Sequence, residues 1–163
     1  MDEHRLLDRG RTSGIARSEH VKNPGGGATI TFSTALGHPR PDRVLTGIAE
    51  LDGDLRWTTV SATCDGQVLN LTPAPQAEVE IAGVPCLYGI TTLRLRKAGI
   101  RPGETRKVPV LRIGGDMQQT RVHASVTWLG GQAWRIDAPA ERTWLQVRPD
   151  GAVRVVDGVA ELV

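Results

Sequence analysis

Short stretches rich in Val, Ile, Thr and Trp recur along this chain, and several of them alternate apolar and polar side chains with a period of two. In Leu55 to Cys64, Leu55, Trp57 and Thr59 fall on one face, and Arg56 and Thr58 on the other. In Gln119 to Leu129, Val122, Ala124, Val126 and Trp128 oppose His123, Ser125 and Thr127. The stretches are punctuated by Asp52-Gly53, Asp65-Gly66, Gly114-Gly115, Gly130-Gly131, Asp150-Gly151 and Asp157-Gly158, pairs that tolerate the positive φ of tight hairpin turns. The pattern predicts strands over 28–33, 44–51, 55–64, 67–71, 106–113, 119–129, 133–138, 142–148 and 152–156. Leu36 to Asp42, with Gly37, Pro39 and Pro41, reads as a loop, and Pro73 and Pro75 end the strand before them.

One segment has a different period. At ~100° per residue, Val84, Leu87, Tyr88, Ile90, Leu95 and Ala98 share an arc of roughly 160°, with Arg96 and Lys97 outside it and Arg94 within it. Gly99 stands at the position of a left-handed cap and Pro102 follows as a stop. The spacing predicts a helix over 84–98, against a competing strand pattern in Leu93-Arg94-Leu95-Arg96. Antiparallel hairpins interrupted by one amphipathic helix give a mainly β fold. Its strongly curved antiparallel sheet, a half-barrel or spiral β-roll, wraps around one central α-helix. Residues 24–163 form one β-rich domain on this reading. Residues 1–23, mixed in charge and poor in apolar side chains, read as a mobile N-terminal arm hinged at Pro24-Gly25-Gly26-Gly27.

Composition narrows the function. A net charge of +2 and only six aromatic residues (four Trp, one Tyr, one Phe) argue against a nucleic-acid surface. The glycine triplet precedes a strand, whereas a phosphate-binding loop needs a strand before it and a helix after it. The N-terminus lacks an apolar signal core and no window approaches the ~20 apolar residues of a membrane span, so a cytoplasmic protein is expected. Cys64 and Cys86 form neither a CxxC pair nor part of a zinc set and read as two reduced thiols. No cofactor motif is present, so none is expected, and a homodimer is left open.

The run Leu87-Tyr88-Gly89-Ile90-Thr91-Thr92-Leu93-Arg94-Leu95-Arg96-Lys97-Ala98-Gly99-Ile100-Arg101-Pro102-Gly103-Glu104-Thr105, followed by Val108-Pro109-Val110, resembles bacterial curved-sheet half-barrel proteins. These include putative glycolipid-binding and lipoprotein-carrier-like families and uncharacterised envelope proteins. Trp144-Leu145-Gln146-Val147-Arg148-Pro149-Asp150-Gly151, leading into Val153, is similar to their closing hairpin, and the resemblance spans about residues 44–160. It implies binding of a lipid-like or otherwise apolar molecule on the concave face and carries no catalytic residues across.

Trp57, Tyr88, Trp128 and Trp134, with Trp144, are the side chains that could line such a cavity or simply fill the core. Tyr88 would point a hydroxyl inward from the helix. His123, on a strand, would serve as a general base if Glu78, Glu80, Asp116 or Asp137 came near, and otherwise is a half-exposed strand residue. His4 and His20 fall in the arm and His38 in the Gly-His-Pro loop. Cys86 follows Pro85 at the helix start, where a thiolate is favoured, unless it is a small buried hydrophobe. Arg94, Arg96, Lys97, Arg101, Arg106, Lys107, Arg112 and Arg121 face only Glu104 and Asp116 in the same stretch, an excess suited to an anionic headgroup, a ligand carboxylate or an acidic carrier protein. Two functions share the expected cavity. One is binding of an apolar or amphipathic small molecule, lipid-like or a natural-product intermediate. The other is a cofactor-independent cyclase, isomerase or hydrolase using Tyr88 and His123. A protein-interaction module built on exposed sheet edges is a third class.

Overall fold

The computed structural model describes residues 1–8, 11–36, 42–74, 76–157 and 160–163; the loop expected around His38, Pro39 and Pro41, together with Pro75 and Gly158, lies outside the described residues. The described elements run β1 (Asp2–Asp8), β2 (Arg11–Lys22), β3 (Ala28–Leu36), β4 (Arg43–Leu51), β5 (Trp57–Cys64), β6 (Gln67–Leu71), β7 (Glu78–Ile81), α1 (Cys86–Lys97), β8 (Thr105–Ile113), β9 (Gln119–Gly130), β10 (Ala133–Ala138), β11 (Glu141–Val147), β12 (Val153–Val156) and β13 (Ala160–Leu162). All strands join one sheet in the order β6-β5-β4-β3-β2-β1-β13-β12-β11-β10-β9-β8-β7.

Chain connectivity explains the curvature. The two edge strands, β6 and β7, are consecutive in sequence and separated by only the six residues between Leu71 and Glu78. Laid flat, twelve inter-strand gaps of ~4.8 Å would set those edges about 58 Å apart, whereas the connection reaches at most roughly 25 Å. The sheet must therefore roll until its edges meet. Its last strand departs from the expected antiparallel pattern, because β7 pairs parallel to β8 with α1 as the crossover between them.

β7 is buried on both faces. Val79 and Ile81 join a core with Ile30, Leu45, Trp57 and Val60 of β3–β5 and with Leu87 and Ile90 of α1. A second core gathers Leu95 of α1 with Val110, Val126, Trp134, Leu145 and Val153 of the opposite wall. The helix thus stands between the two walls of the roll and contributes to both cores. Its C-terminus closes with Gly99 N–H on the Arg96 carbonyl and Ile100 N–H on the Leu95 carbonyl, the paired bonds of a Schellman cap. Gly89 makes the helix fit, since a Cβ there would lie 1.9 Å from the Gly151 carbonyl oxygen in the turn before β12.

Residues 1–23 are not an arm. β1 and β2 lie at the middle of the sheet, and the Pro24-to-Gly27 joint is the turn that passes β2 to β3, closed by Asn23 N–H on the Gly27 carbonyl. The segment needs few apolar residues because only one face of each strand meets the core. His4, Leu6, Ala16 and Ser18 are buried, whereas Glu3 and Arg17 form an ion pair at 2.7 Å on the other face. The face assignment in 55–64 also changes. Leu55 belongs to the turn with φ 62°, and a bulge against β4 puts Trp57 opposite Leu51 and Thr59 opposite Glu50. Trp57 and Val60 consequently both face inward while Thr58 and Thr59 are exposed. The hairpin at Asp65-Gly66 takes the expected tight form, with both residues at positive φ.

Candidate functional site

β7 carries two carboxylates into the roll, and the site grows from how they are satisfied. Glu78 and Glu80 alternate with Val79 and Ile81, so they face the side opposite the first core. Glu78 is 1% exposed; Arg94 ion-pairs with it, and the Thr91 hydroxyl donates to its Oε2 at 2.9 Å. Burial pushes its carboxyl upward, opposed by Arg94, by Thr91 and by the nearby Trp57 indole N–H. The Arg94 that sits inside the apolar helical arc is thereby explained: it is the partner of a buried acid.

Glu80 lies across from Arg112 in the parallel β7–β8 pair. Arg112 Nε donates to Glu80 Oε2 at 2.7 Å, and its other arm reaches Glu141 Oε2 at 2.9 Å. These three side chains and Tyr88 of α1 share a cavity of about 300 Å³ whose remaining wall is largely apolar, from Ile81, Val84, Pro85 and Ile113. Burial first, then the charges of Glu80 and Glu141, raise the Tyr88 hydroxyl well above its usual range, with Arg112 opposing. The phenol is held protonated, as a hydrogen-bond donor. Burial likewise raises Glu80, against the pull of Arg112.

A second cleft of about 220 Å³ lies along another side of the helix, between Cys86, Ile90 and Leu93 of α1 and Asp2, Ser18 and His20 of β1 and β2. His20 is lowered by burial and by Lys22, with Asp2 opposing. Cys86 is pushed up to about 12 by burial, so at neutral pH it is a thiol and not the activated thiolate its place at the helix start suggested. It and Cys64 are unbridged.

The structure separates the residues singled out from sequence. Tyr88 lines the carboxylate cavity. Trp57 is 2% exposed in the first core. Trp134 is fully buried and stacks on Trp128 at 5.4 Å, with the Arg96 guanidinium 5.1 Å from one ring and 5.4 Å from the other. His123 is exposed on the opposite face of β9, in a separate cleft, and does not join Tyr88. The carboxylates proposed for it are engaged elsewhere: Glu78 by Arg94, Glu80 by Arg112, and Asp137 by Arg135 and Arg142. Asp116 accepts the Gln118 backbone N–H. Arg112 and Glu141 complete the cavity but carry no sequence signal of their own, because they meet Glu80 only through the rolled sheet.

The architecture is that of a barrel-like, spiral β protein, and comparison with solved structures agrees. A DUF1089 family protein from Pseudomonas aeruginosa is similar with a TM-score of 0.68 at 13% identity, over 88% of this chain and 90% of that one. A beta-barrel-like protein of the domain of unknown function DUF1849 from Brucella abortus is similar with a TM-score of 0.50 at 12% identity, over 99% and 95%. At such identities the likeness establishes the fold alone. No family model and no curated protein matches the sequence. Among the described residues no helix is long and apolar enough to cross a membrane.

Proposed function

We propose that the cavity beside Tyr88 binds an amphipathic small molecule whose apolar body lies against Ile81, Val84, Pro85 and Ile113 and whose polar end is a cation or hydrogen-bond donor. One observation carries this reading: a single arginine, Arg112, is shared by two carboxylates in an otherwise apolar cavity. With all three ionised, two negative charges and one positive leave one excess negative charge, which favours an ammonium or hydroxyl group on the ligand. The resemblance to glycolipid-binding and carrier-like half-barrels supports a lipid-like body. Calorimetric titration with dodecylamine and dodecanol tests it. The amine binds more tightly, Glu141→Gln weakens it about tenfold, and Tyr88→Phe weakens the alcohol by up to roughly tenfold through loss of one hydrogen bond. Equal affinity for the two probes, unchanged in both variants, overturns the assignment.

A second reading rests on Tyr88 and Glu80 themselves. A protonated phenol and a carboxyl raised by burial share the cavity, a donor and acceptor suited to general acid–base chemistry on a bound natural-product intermediate. Conversion of a bound compound, lost in Tyr88→Phe while binding persists, is the result that selects the enzyme.

A further inference from the structure

On the outer side of β8 and β9, away from the Tyr88 cavity, a cleft of about 250 Å³ opens where the segment after β6 crosses the roll. Its floor is Pro109 and Leu111 of β8, its roof Leu71, Pro73 and Ala77. This is the seam of the spiral. Val79 of the first core sits opposite Leu111 in the β7–β8 pair, so the floor of the cleft adjoins that core. Leu111 is only 7% exposed although it faces away from the helix-side core. Across the strand pair, Leu111 sits opposite Arg121 and Pro109 opposite His123, so each floor residue has a cation or imidazole beside it at the exposed rim.

The charge pattern identifies the occupant. None of the residues lining this cleft is acidic. Four of the eight cations read from the sequence are engaged elsewhere: Arg94 by Glu78, Lys97 by Asp54, Arg106 by Glu104 and Arg112 by Glu80 and Glu141. Arg121 has no acidic partner within ion-pair distance among the described residues. We infer that the seam cleft binds a fatty carboxylate, its alkyl chain against Leu71, Pro109 and Leu111 and its carboxylate on the Arg121 guanidinium, whose planar fork matches a carboxylate. This site is distinct from the Tyr88 cavity and opposite to it in charge.

The test is binding of dodecanoate and of dodecanol, below micelle-forming concentrations, with amide NMR shifts locating each. Dodecanoate is expected to shift the amides of Leu71, Thr72, Ala74, Ala77, Val110, Leu111 and residues 119–123 and to bind at least tenfold more tightly than dodecanol at that cleft. Arg121→Ala should lose about tenfold for dodecanoate. Ala74→Trp, which fills the cleft from an exposed position, should abolish its binding, and Tyr88→Phe should leave it unchanged. Dodecanoate binding that is unaffected by Arg121→Ala, that is lost with Tyr88→Phe, or that is absent altogether overturns the proposal. Failure of the amine to bind beside Tyr88 would count against the first site and leave this one standing.

Discussion

Replacing Arg94 with Met tests how the helix is tied to β7. Glu78 is 1% exposed, and Arg94 is its charged partner. Methionine keeps the aliphatic stem but strands the carboxylate, and breaking a buried pair from one side costs about 3–5 kcal/mol. For a chain of this size that lowers the melting temperature by roughly 6–20 °C. The loss depends on pH with a defined sign. Burial already raises Glu78 above the ordinary carboxylate value, and removing Arg94 takes away the largest opposing influence, so the folded-state value rises further. A carboxyl raised in the fold penalises the native state while it is ionised, and the penalty is relieved as pH falls through the raised value toward the ordinary one. Urea denaturation should therefore show a larger deficit for Arg94→Met at pH 8 than at pH 5. The pair Glu78→Gln/Arg94→Met should regain at least half of it at pH 8, because a neutral amide needs no counter-ion. A loss below about 1 kcal/mol, or one that is the same at both pH values, refutes the reasoning.

Three further outcomes follow from the packing. Gly89→Ala gains about 1 kcal/mol of helix propensity, but its Cβ meets the Gly151 carbonyl at 1.9 Å, and such backbone overpacking costs typically 1–3 kcal/mol. A lower melting temperature is expected; a higher one means that the helix does not press on that turn. Cys86, raised to about 12, should resist alkylation by iodoacetamide at pH 7.5 in the native protein and react on unfolding, with rapid native labelling as the contrary result. Arg96→Ala should destabilise by about 1 kcal/mol or more through loss of its position over Trp128 and Trp134, and an unchanged urea midpoint would show that the stacked pair stands without it.

Period-two alternation and turn pairs placed most strands, because each hairpin is local and its register follows from its own turn. α1 was legible for the same reason, with its 3.6 period and Gly99 stop contained in one stretch. What escaped depends on distant partners. β7 reads Glu-Val-Glu-Ile behind two prolines, and its carboxylates look like solvent-facing charge until Arg94 and Arg112 arrive from the helix and from β8. β1 and β2 look like a polar arm because half of each strand faces water, and His4, 1% exposed, finds the partner of its ring nitrogen in the sequence-distant Val153 carbonyl at 2.7 Å. Of the candidate site, Tyr88 was readable from its place on the helix face. Its neighbours Arg112 and Glu141 were not, since their meeting with Glu80 depends on how far the sheet rolls. The tryptophans drew attention by size alone, and size does not tell a cavity wall from a filled core.

The most direct measurement is photolabelling with a diazirine-bearing long-chain alkylamine, followed by peptide mass spectrometry. The account predicts saturable adducts on the segment 80–88 or on residues flanking Arg112, competed by dodecylamine and reduced in Glu141→Gln. Adducts confined to other parts of the chain, or labelling that dodecylamine does not compete, would contradict a ligand site beside Tyr88.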